Sequence, residues 1–164
     1  MQTPLCSICL SSDILCRACQ ERLRTGQISE LEVKVSRLLY GLTEKIRHIK
    51  DISVKRVVET PSIILILLAP GDSHKLAGKQ GAVARELAEP LKKQVRLVED
   101  GDRKSVIQSL LLPAPVLGVN TVFTQKGEQL SVRVSKGARL PISGQALTDA
   151  GRALLKMEIR LVQE

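Results

Sequence analysis

The sequence predicts an α+β protein in which the order α-β-β-α-α-β occurs twice. An amphipathic helical pattern is followed by short runs of β-branched and aliphatic residues, which are typical of strands. The segment Gln-Val-Arg-Leu-Val-Glu at 94–99 recurs as Glu-Ile-Arg-Leu-Val-Gln at 158–163, and the elements before each copy follow in the same order, which indicates an internal repeat. We expect a first unit at 27–100, a second at 101–164, and a separate segment at 1–26.

The segment 1–26 contains all four cysteines, as the pairs Cys6-x2-Cys9 and Cys16-x2-Cys19. Two such pairs can present four thiolates to one tetrahedral ion, and Zn²⁺ held by four thiolates is structural. A segment this short cannot build a core of its own, and a bound zinc would supply the missing stability. Two disulfides or a redox-active CxxC are the alternatives. The spacing favours zinc, which is the only cofactor we expect.

The first unit begins with a helical stripe of apolar residues that runs from Ile28 to Ile49. A strand is predicted at 52–58, a turn at 59–62 and a second strand at 63–68. The second strand is apolar throughout, which is typical of a strand that is buried on both faces.

A glycine-flanked loop, Gly78-Lys79-Gln80-Gly81, follows a short predicted helix at 74–77 and opens a longer one. Glycine allows a ligand to approach the backbone closely, and a helix start offers N–H groups and a positive dipole end to an anion. A nucleic-acid phosphate is the expected occupant, and an ordinary helix cap with a solvated lysine is the alternative. Pro90 is expected to end or kink the helix near Glu89, before a strand at 95–98.

The second unit repeats this order with a helix at 104–112, strands at 116–124 and 130–134, and a helix at 143–155. Aligning the two Arg-Leu-Val strands places the glycine-flanked loop opposite Ile142-Ser143-Gly144-Gln145. The second loop lacks the paired glycines, so we expect the second unit to keep the fold without the phosphate-binding loop.

Composition limits the function classes. Lys and Arg number 25 against 17 Asp and Glu, a net charge of +8 that favours a polyanionic partner. The sequence contains only two aromatic residues, Tyr40 and Phe123, which excludes modules that stack bases on several rings, such as RRM and OB folds. A KH-type groove, which works through a GXXG loop, remains possible.

Localisation and catalysis are also constrained. The longest apolar run is far shorter than the ~20 residues of a membrane helix, and the first residues do not resemble a signal peptide. We therefore expect a cytoplasmic protein with no membrane partner. The histidines, His48 and His74, belong to no recognisable catalytic motif, so we expect no enzymatic activity.

The first unit contains, in order, a strand, the Ala69-Pro70-Gly71-Asp72 turn, the glycine-flanked loop, a helix and the Val-Arg-Leu-Val strand. This order resembles a type II KH domain. The tandem arrangement over 28–164 is similar to the archaeal NusA-like transcription factors. The resemblance implies binding of single-stranded RNA and a role in transcription elongation or termination. It implies that Gly78 and Gly81 are the loop glycines and that Lys79 and Gln80 face the RNA backbone. The cysteine segment and the second loop depart from the family pattern.

We predict that Lys79 supplies charge to this RNA site and that Lys75, Arg85 and Lys92 are flanking phosphate contacts. An aliphatic floor for the bases would come from Leu76, Val83 or Leu87. Each cation alone is also compatible with an ordinary solvated surface, and the sequence does not distinguish RNA from single-stranded DNA. The alternative function is an adaptor of RNA polymerase or the ribosome, in which the KH units are scaffolds and the cysteine segment and second unit dock.

Overall fold

The computed structural model describes residues 1–76 and 79–164, so that the first loop glycine, Gly78, lies outside the described residues. The fold is α+β, with two three-stranded sheets and a four-cysteine segment before them. The helices are α1 (Ser7–Leu10), α2 (Arg17–Arg24), α3 (Glu30–Leu42), α4 (Asp72–Lys75), α5 (Gln80–Leu91), α6 (Arg103–Leu111) and α7 (Gly144–Leu155). The strands are β1 (Val54–Glu59), β2 (Ile63–Leu68), β3 (Gln94–Glu99), β4 (Val116–Thr124), β5 (Gly127–Val134) and β6 (Glu158–Gln163).

The two sheets have the same topology, in the orders β1-β2-β3 and β4-β5-β6. In each, the first two strands form an antiparallel hairpin and the third strand lies parallel to the second. A parallel neighbour requires a crossover connection, which contains α5 in the first sheet and α7 in the second. In the parallel pairs Ile64 lies opposite Val95, and Leu130 lies opposite Ile159.

Strand β2 is buried on both faces, which confirms the prediction from its apolar sequence. Its even-numbered residues pack in one cluster with apolar residues of α3 and α5. Its odd-numbered residues pack in a second cluster with residues of α6, β5 and α7. Because successive side chains of a strand point to opposite faces, the first sheet lies between the helices of its own unit and those of the second unit.

Three elements differ from the predictions. Helix α3 ends at Leu42, and a 3₁₀ turn at Arg47–Asp51 buries Ile49 instead. Helix α5 continues through Pro90 to Leu91, because a proline in the last turn removes only one hydrogen bond close to the helix end. Between β5 and β6, where every residue is described, one helix replaces the predicted two. The segment 135–143 forms turns, with Gly137 at φ +81°, a conformation that a helix cannot contain.

In the described part of the chain, no helix combines the length and the apolar character needed to cross a membrane.

Candidate functional site

The four cysteines converge at the starts of two short helices. Cys6 and Cys16 are the N-caps of α1 and α2, and Cys9 and Cys19 lie in the first turns. All four sulfur atoms lie within 4.8 Å of one another, and Cys9 and Cys19 are buried. The backbone N–H of Cys16 donates to Sγ of Cys9 at 3.0 Å. Four converging thiols are a donor set that could hold one metal ion.

The pKa values of the cysteines at the N-cap positions, Cys6 and Cys16, shift in the opposite direction to that of Cys9 inside α1. The backbone N–H and the side chain of Cys9 lower the pKa of Cys6 to about 6, and the backbone N–H of Cys19 lowers the pKa of Cys16. The backbone N–H of Cys16 also lowers the pKa of Cys9, but burial and hydrogen bonds with the other three thiols raise it to about 12. The two helix-start positions therefore favour the thiolate, which is the form that binds metal.

A small apolar cluster joins the cysteine segment to the first unit. Leu5 and Leu10 pack with Cys9 and Cys19 against Ile28 and Val33, the latter on α3. Arg37 of α3 also donates from Nε to the carbonyl oxygen of Cys9 at 3.4 Å. The sulfur cluster is thus attached to the start of α3.

The second candidate site lies at the N-terminus of α5. Lys79 is exposed and caps the helix without a side-chain hydrogen bond, and its backbone N–H donates to the carbonyl of Leu76 at 3.0 Å. Gln80 is half-buried, and its Nε2 donates to the carbonyl of Ser73 at 2.7 Å. Of the two residues predicted to face an RNA backbone, Lys79 is available to solvent, whereas the side-chain amide of Gln80 is directed at α4.

A groove of three adjoining depressions runs from α4 along α5. Its central part, of about 330 Å³, lies between α5 and β3 and is closed by the segment 109–113. A second part, of about 250 Å³, continues along α5 to Ala88 and Gln94. A third part, of about 340 Å³, passes Ser73 and Pro113 towards His74 and Glu99. We call these three parts together the α5–β3 groove.

Small residues on one side of α5 keep this groove open. Gly81, Ala84 and Ala88 all line it, and their spacing of three and four residues places them on one face of the helix. At Gly81 the backbone is not in the left-handed region, and a Cβ there would meet no described atom within 4 Å. No described part of the protein requires a glycine at this position, so its effect is to leave space in the groove.

Arg96 of β3 is a groove residue that the sequence reasoning missed. Its Nη2 donates to the carbonyl oxygens of Ser109, Leu110 and Leu112 at 3.3, 3.2 and 2.8 Å. Burial lowers the pKa of Arg96, and its Nε is buried with no hydrogen-bond partner among the described residues. The available signal was a cation between the buried residues Val95 and Leu97, but its position beside α6 depends on tertiary packing.

The predicted flanking cations lie in different surroundings. Arg85 lines the groove, and its Nε donates to the carbonyl of Gly81 at 3.3 Å. Lys75 is engaged within the protein, because its Nζ lies 2.8 Å from Oδ1 of Asp72 and 3.2 Å from the carbonyl of Asp51. Lys92 ends α5, about 20 Å from Lys79 at 1.5 Å per residue. Of the four, Lys79 and Arg85 therefore lie near the α5 N-terminus without an ion pair among the described residues, whereas Lys75 is exposed but paired.

The predicted aliphatic floor lies in the core instead. Leu76, Val83 and Leu87 are each fully buried in the cluster under the first sheet. This part of the prediction is wrong, because α5 turns its large apolar side chains to the sheet and its small ones to the groove.

The corresponding loop of the second unit is capped by the protein itself. Oγ of Ser143 accepts a hydrogen bond from the backbone N–H of Ala146 at 3.1 Å, at the start of α7. A hydroxyl at this position occupies one of the N–H groups that an anion would otherwise bind. The start of α7 is therefore a less suitable anion site than the start of α5.

Comparison with known proteins supports the fold alone. No protein-family model matches the chain, and no curated protein matches it. Among solved structures, the chain is similar to one titled "Crystal structure of APE1850", with a TM-score of 0.51 and 19% sequence identity. The match covers 78% of this chain and 96% of that one.

Proposed function

We propose that the protein binds single-stranded RNA in the α5–β3 groove and acts as a NusA-like factor in transcription elongation or termination, in the cytoplasm. One observation carries the proposal. Gly81 has no conformational or packing role among the described residues, and yet it lines a groove at a helix N-terminus. An open backbone beside a helix start suits the close approach of a phosphate.

Each side of the groove has a separate role in the proposed complex. The phosphates lie against the start of α5, where Lys79 and the helix dipole attract them and Arg85 continues the positive side. The backbone N–H of Lys79 is already bonded to Leu76, so this residue contributes its charge rather than its amide. The bases lie towards β3, where Arg96 and Leu97 line the groove in a site with few aromatic residues.

A charge reversal at Lys79 tests the proposal. The Lys79→Asp variant should fold normally, because the side chain is exposed and aspartate is a favoured N-cap residue. At ~1 kcal/mol for a phosphate contact near water, replacing attraction by repulsion costs about 2 kcal/mol, which is a roughly 30-fold loss of RNA affinity. The measurement is titration of a labelled single-stranded oligonucleotide at several salt concentrations.

Lys126→Asp is the matched control, since this exposed lysine in the β4–β5 turn gives the same change of net charge away from the groove. The control should bind RNA within about twofold of the unchanged protein, as only a weak long-range charge effect remains. Equal affinities for the two variants would show that the α5 start is only a turn.

We also propose that the cysteine cluster holds one Zn²⁺ as a structural ion. The convergence of four thiols, two of them buried, leaves no open position for a substrate. Metal analysis of protein purified without chelator should find one zinc per chain. A chain that contains no metal and forms disulfides under the same conditions would contradict this assignment.

The second candidate function is an adaptor that docks on RNA polymerase or the ribosome. Ile8 and Ile14 of the cysteine segment favour it, because these large apolar side chains are 71% and 75% exposed, as at a docking surface. Immunopurification with and without nuclease separates the two functions: partners that remain after digestion support docking, and partners that are lost support RNA binding.

A further inference from the structure

Strand β4 is an edge of the second sheet and carries no charged residue along its nine positions, Val116–Thr124. It also carries three exposed large apolar side chains: Leu117, Val122 and Phe123 are 51%, 43% and 77% exposed. An edge strand presents a row of unpaired backbone N–H and C=O groups, and exposed apolar residues along it favour pairing with another strand.

The other sheet edges are protected by charge or by neighbouring chain. Strand β1 carries Lys55, Arg56 and Glu59, and Gln2 bridges to Ser53 next to it. Strand β3 lies beside α6, and β6 carries Glu158 and Arg160. Charged side chains on an edge are the usual protection against strand addition. Among the edges that the structure describes, β4 is the one whose own residues carry no charge, although α6 also packs against it.

We propose that β4 pairs antiparallel with β4 of a second copy of this chain, to form a continuous six-stranded sheet about a two-fold axis. An isologous contact places each residue of the strand opposite a residue of the same strand, and a strand without charges brings no like charges together. The cation of α6 that contacts β4 is itself paired: Nη1 of Arg103 donates to Oγ1 of Thr121 at 3.4 Å, and its Nη2 lies 3.9 Å from Glu128 of β5.

The hairpin has the shape that such pairing needs. All residues from 120 to 128 are exposed, so that the outer half of β4 extends beyond the buried core with its ladder to β5 intact. The strand carries no cation of its own, and the two arginines that lie against it, Arg103 and Arg133, are paired with Glu128 and Glu164. This argues against RNA as the occupant, since phosphate contacts dominate the affinity for nucleic acid. The inference is independent of the proposed RNA binding.

Salt distinguishes self-association from bridging by RNA. Each copy carries a net charge of +8, so two copies repel each other and screening by salt should strengthen the dimer. A complex bridged by RNA should weaken instead as salt increases.

The test is sedimentation equilibrium of nuclease-treated protein from about 1 to about 500 μM at two salt concentrations. The mass should approach twice the chain mass of 18.0 kDa, with tighter association at the higher salt. Val122→Lys should weaken association at least tenfold, because it adds a lysine to the pairing edge of each copy. Gln129→Lys is the matched control: it lies directly opposite Val122 on the central strand β5, and it should leave association within about threefold. Circular dichroism and the melting temperature of each variant check the fold.

Two results would overturn the inference. A chain that remains monomeric over the whole concentration range, or association that Val122→Lys leaves unchanged, excludes pairing through β4. Association that is lost on nuclease treatment assigns the contact to RNA.

Discussion

Gly81→Ala separates a structural role of the loop glycine from a binding role. Gly81 is the second residue of α5, its φ is outside the left-handed region, and an added Cβ meets no described atom within 4 Å. Alanine in a helix is favoured over glycine by up to about 1 kcal/mol. For a chain of 164 residues, this gain corresponds to a rise of roughly 2–4 °C in melting temperature.

The same methyl group should weaken RNA binding, because Gly81 lines both the central part of the groove and its extension. If the methyl prevents one charge-assisted hydrogen bond between the phosphate and the backbone, the loss is ~1.5–3 kcal/mol. The corresponding decrease in affinity is roughly 10- to 150-fold. Stability and affinity therefore move in opposite directions.

Gly144→Ala is the control, because Gly144 is the first residue of α7, and there too an added Cβ meets no atom within 4 Å. It should raise the melting temperature by a similar amount and leave RNA affinity unchanged. The assays are thermal unfolding by circular dichroism and oligonucleotide titration by fluorescence anisotropy. A Gly81→Ala variant that is stabilised and binds RNA as tightly as the unchanged protein would refute the reasoning.

Three further predictions concern stability. Asp72→Ala should lower the free energy of unfolding by ~1–3 kcal/mol, because Oδ2 of Asp72 accepts the backbone N–H of Ser53 at 2.6 Å and this half-buried donor would lose its partner. Burial opposes ionisation of Asp72, but bonds with Lys75 and Ser53 lower its pKa. The contribution of Asp72 to the free energy of unfolding is therefore present above the unfolded pKa of about 3.9 and is lost as pH falls through the lower folded pKa. Denaturant unfolding between about pH 2 and pH 6 will measure this loss. Ser143→Ala should lower the free energy of unfolding by about 1 kcal/mol, because it removes the side-chain cap of α7. It should leave RNA affinity unchanged, and a large loss of affinity would place RNA on the second loop. Chelation should increase hydrogen exchange in α1 and α2 and leave the sheets protected, because the cysteines pack in a small apolar cluster that is separate from the cores of the two sheets. Exchange unchanged by chelator would contradict a bound metal.

The elements of the fold that are set by local pattern could be predicted from the sequence. The apolar run of β2 requires burial on both faces, and the structure supplies a layer of helices on each. The paired CxxC spacing predicted a site with four sulfur ligands, and the sulfur atoms do converge. Helix α5 does not end at Glu89, because the rule against proline applies to helix interiors, whereas Pro90 lies in the last turn.

The groove could not be predicted because it depends on contacts between distant segments. The side-chain bond from Gln80 to Ser73, the position of Arg96 beside α6 and the direction of the small residues of α5 all follow from tertiary packing. A search for cations near the loop selected Lys75, which is paired with Asp72, and Lys92, which lies at the far end of the helix. The edge position of β4 likewise depends on sheet order, which the strand pattern alone does not give.

The most direct test of the proposed function is a heteronuclear NMR titration of the protein with a short single-stranded RNA. The account predicts that the largest chemical-shift changes occur at Gly81, Ala84 and Arg96, which line the α5–β3 groove, and that the start of α7 is unaffected. Shifts that are confined to the second unit or to the cysteine segment, with the groove residues unchanged, would contradict it.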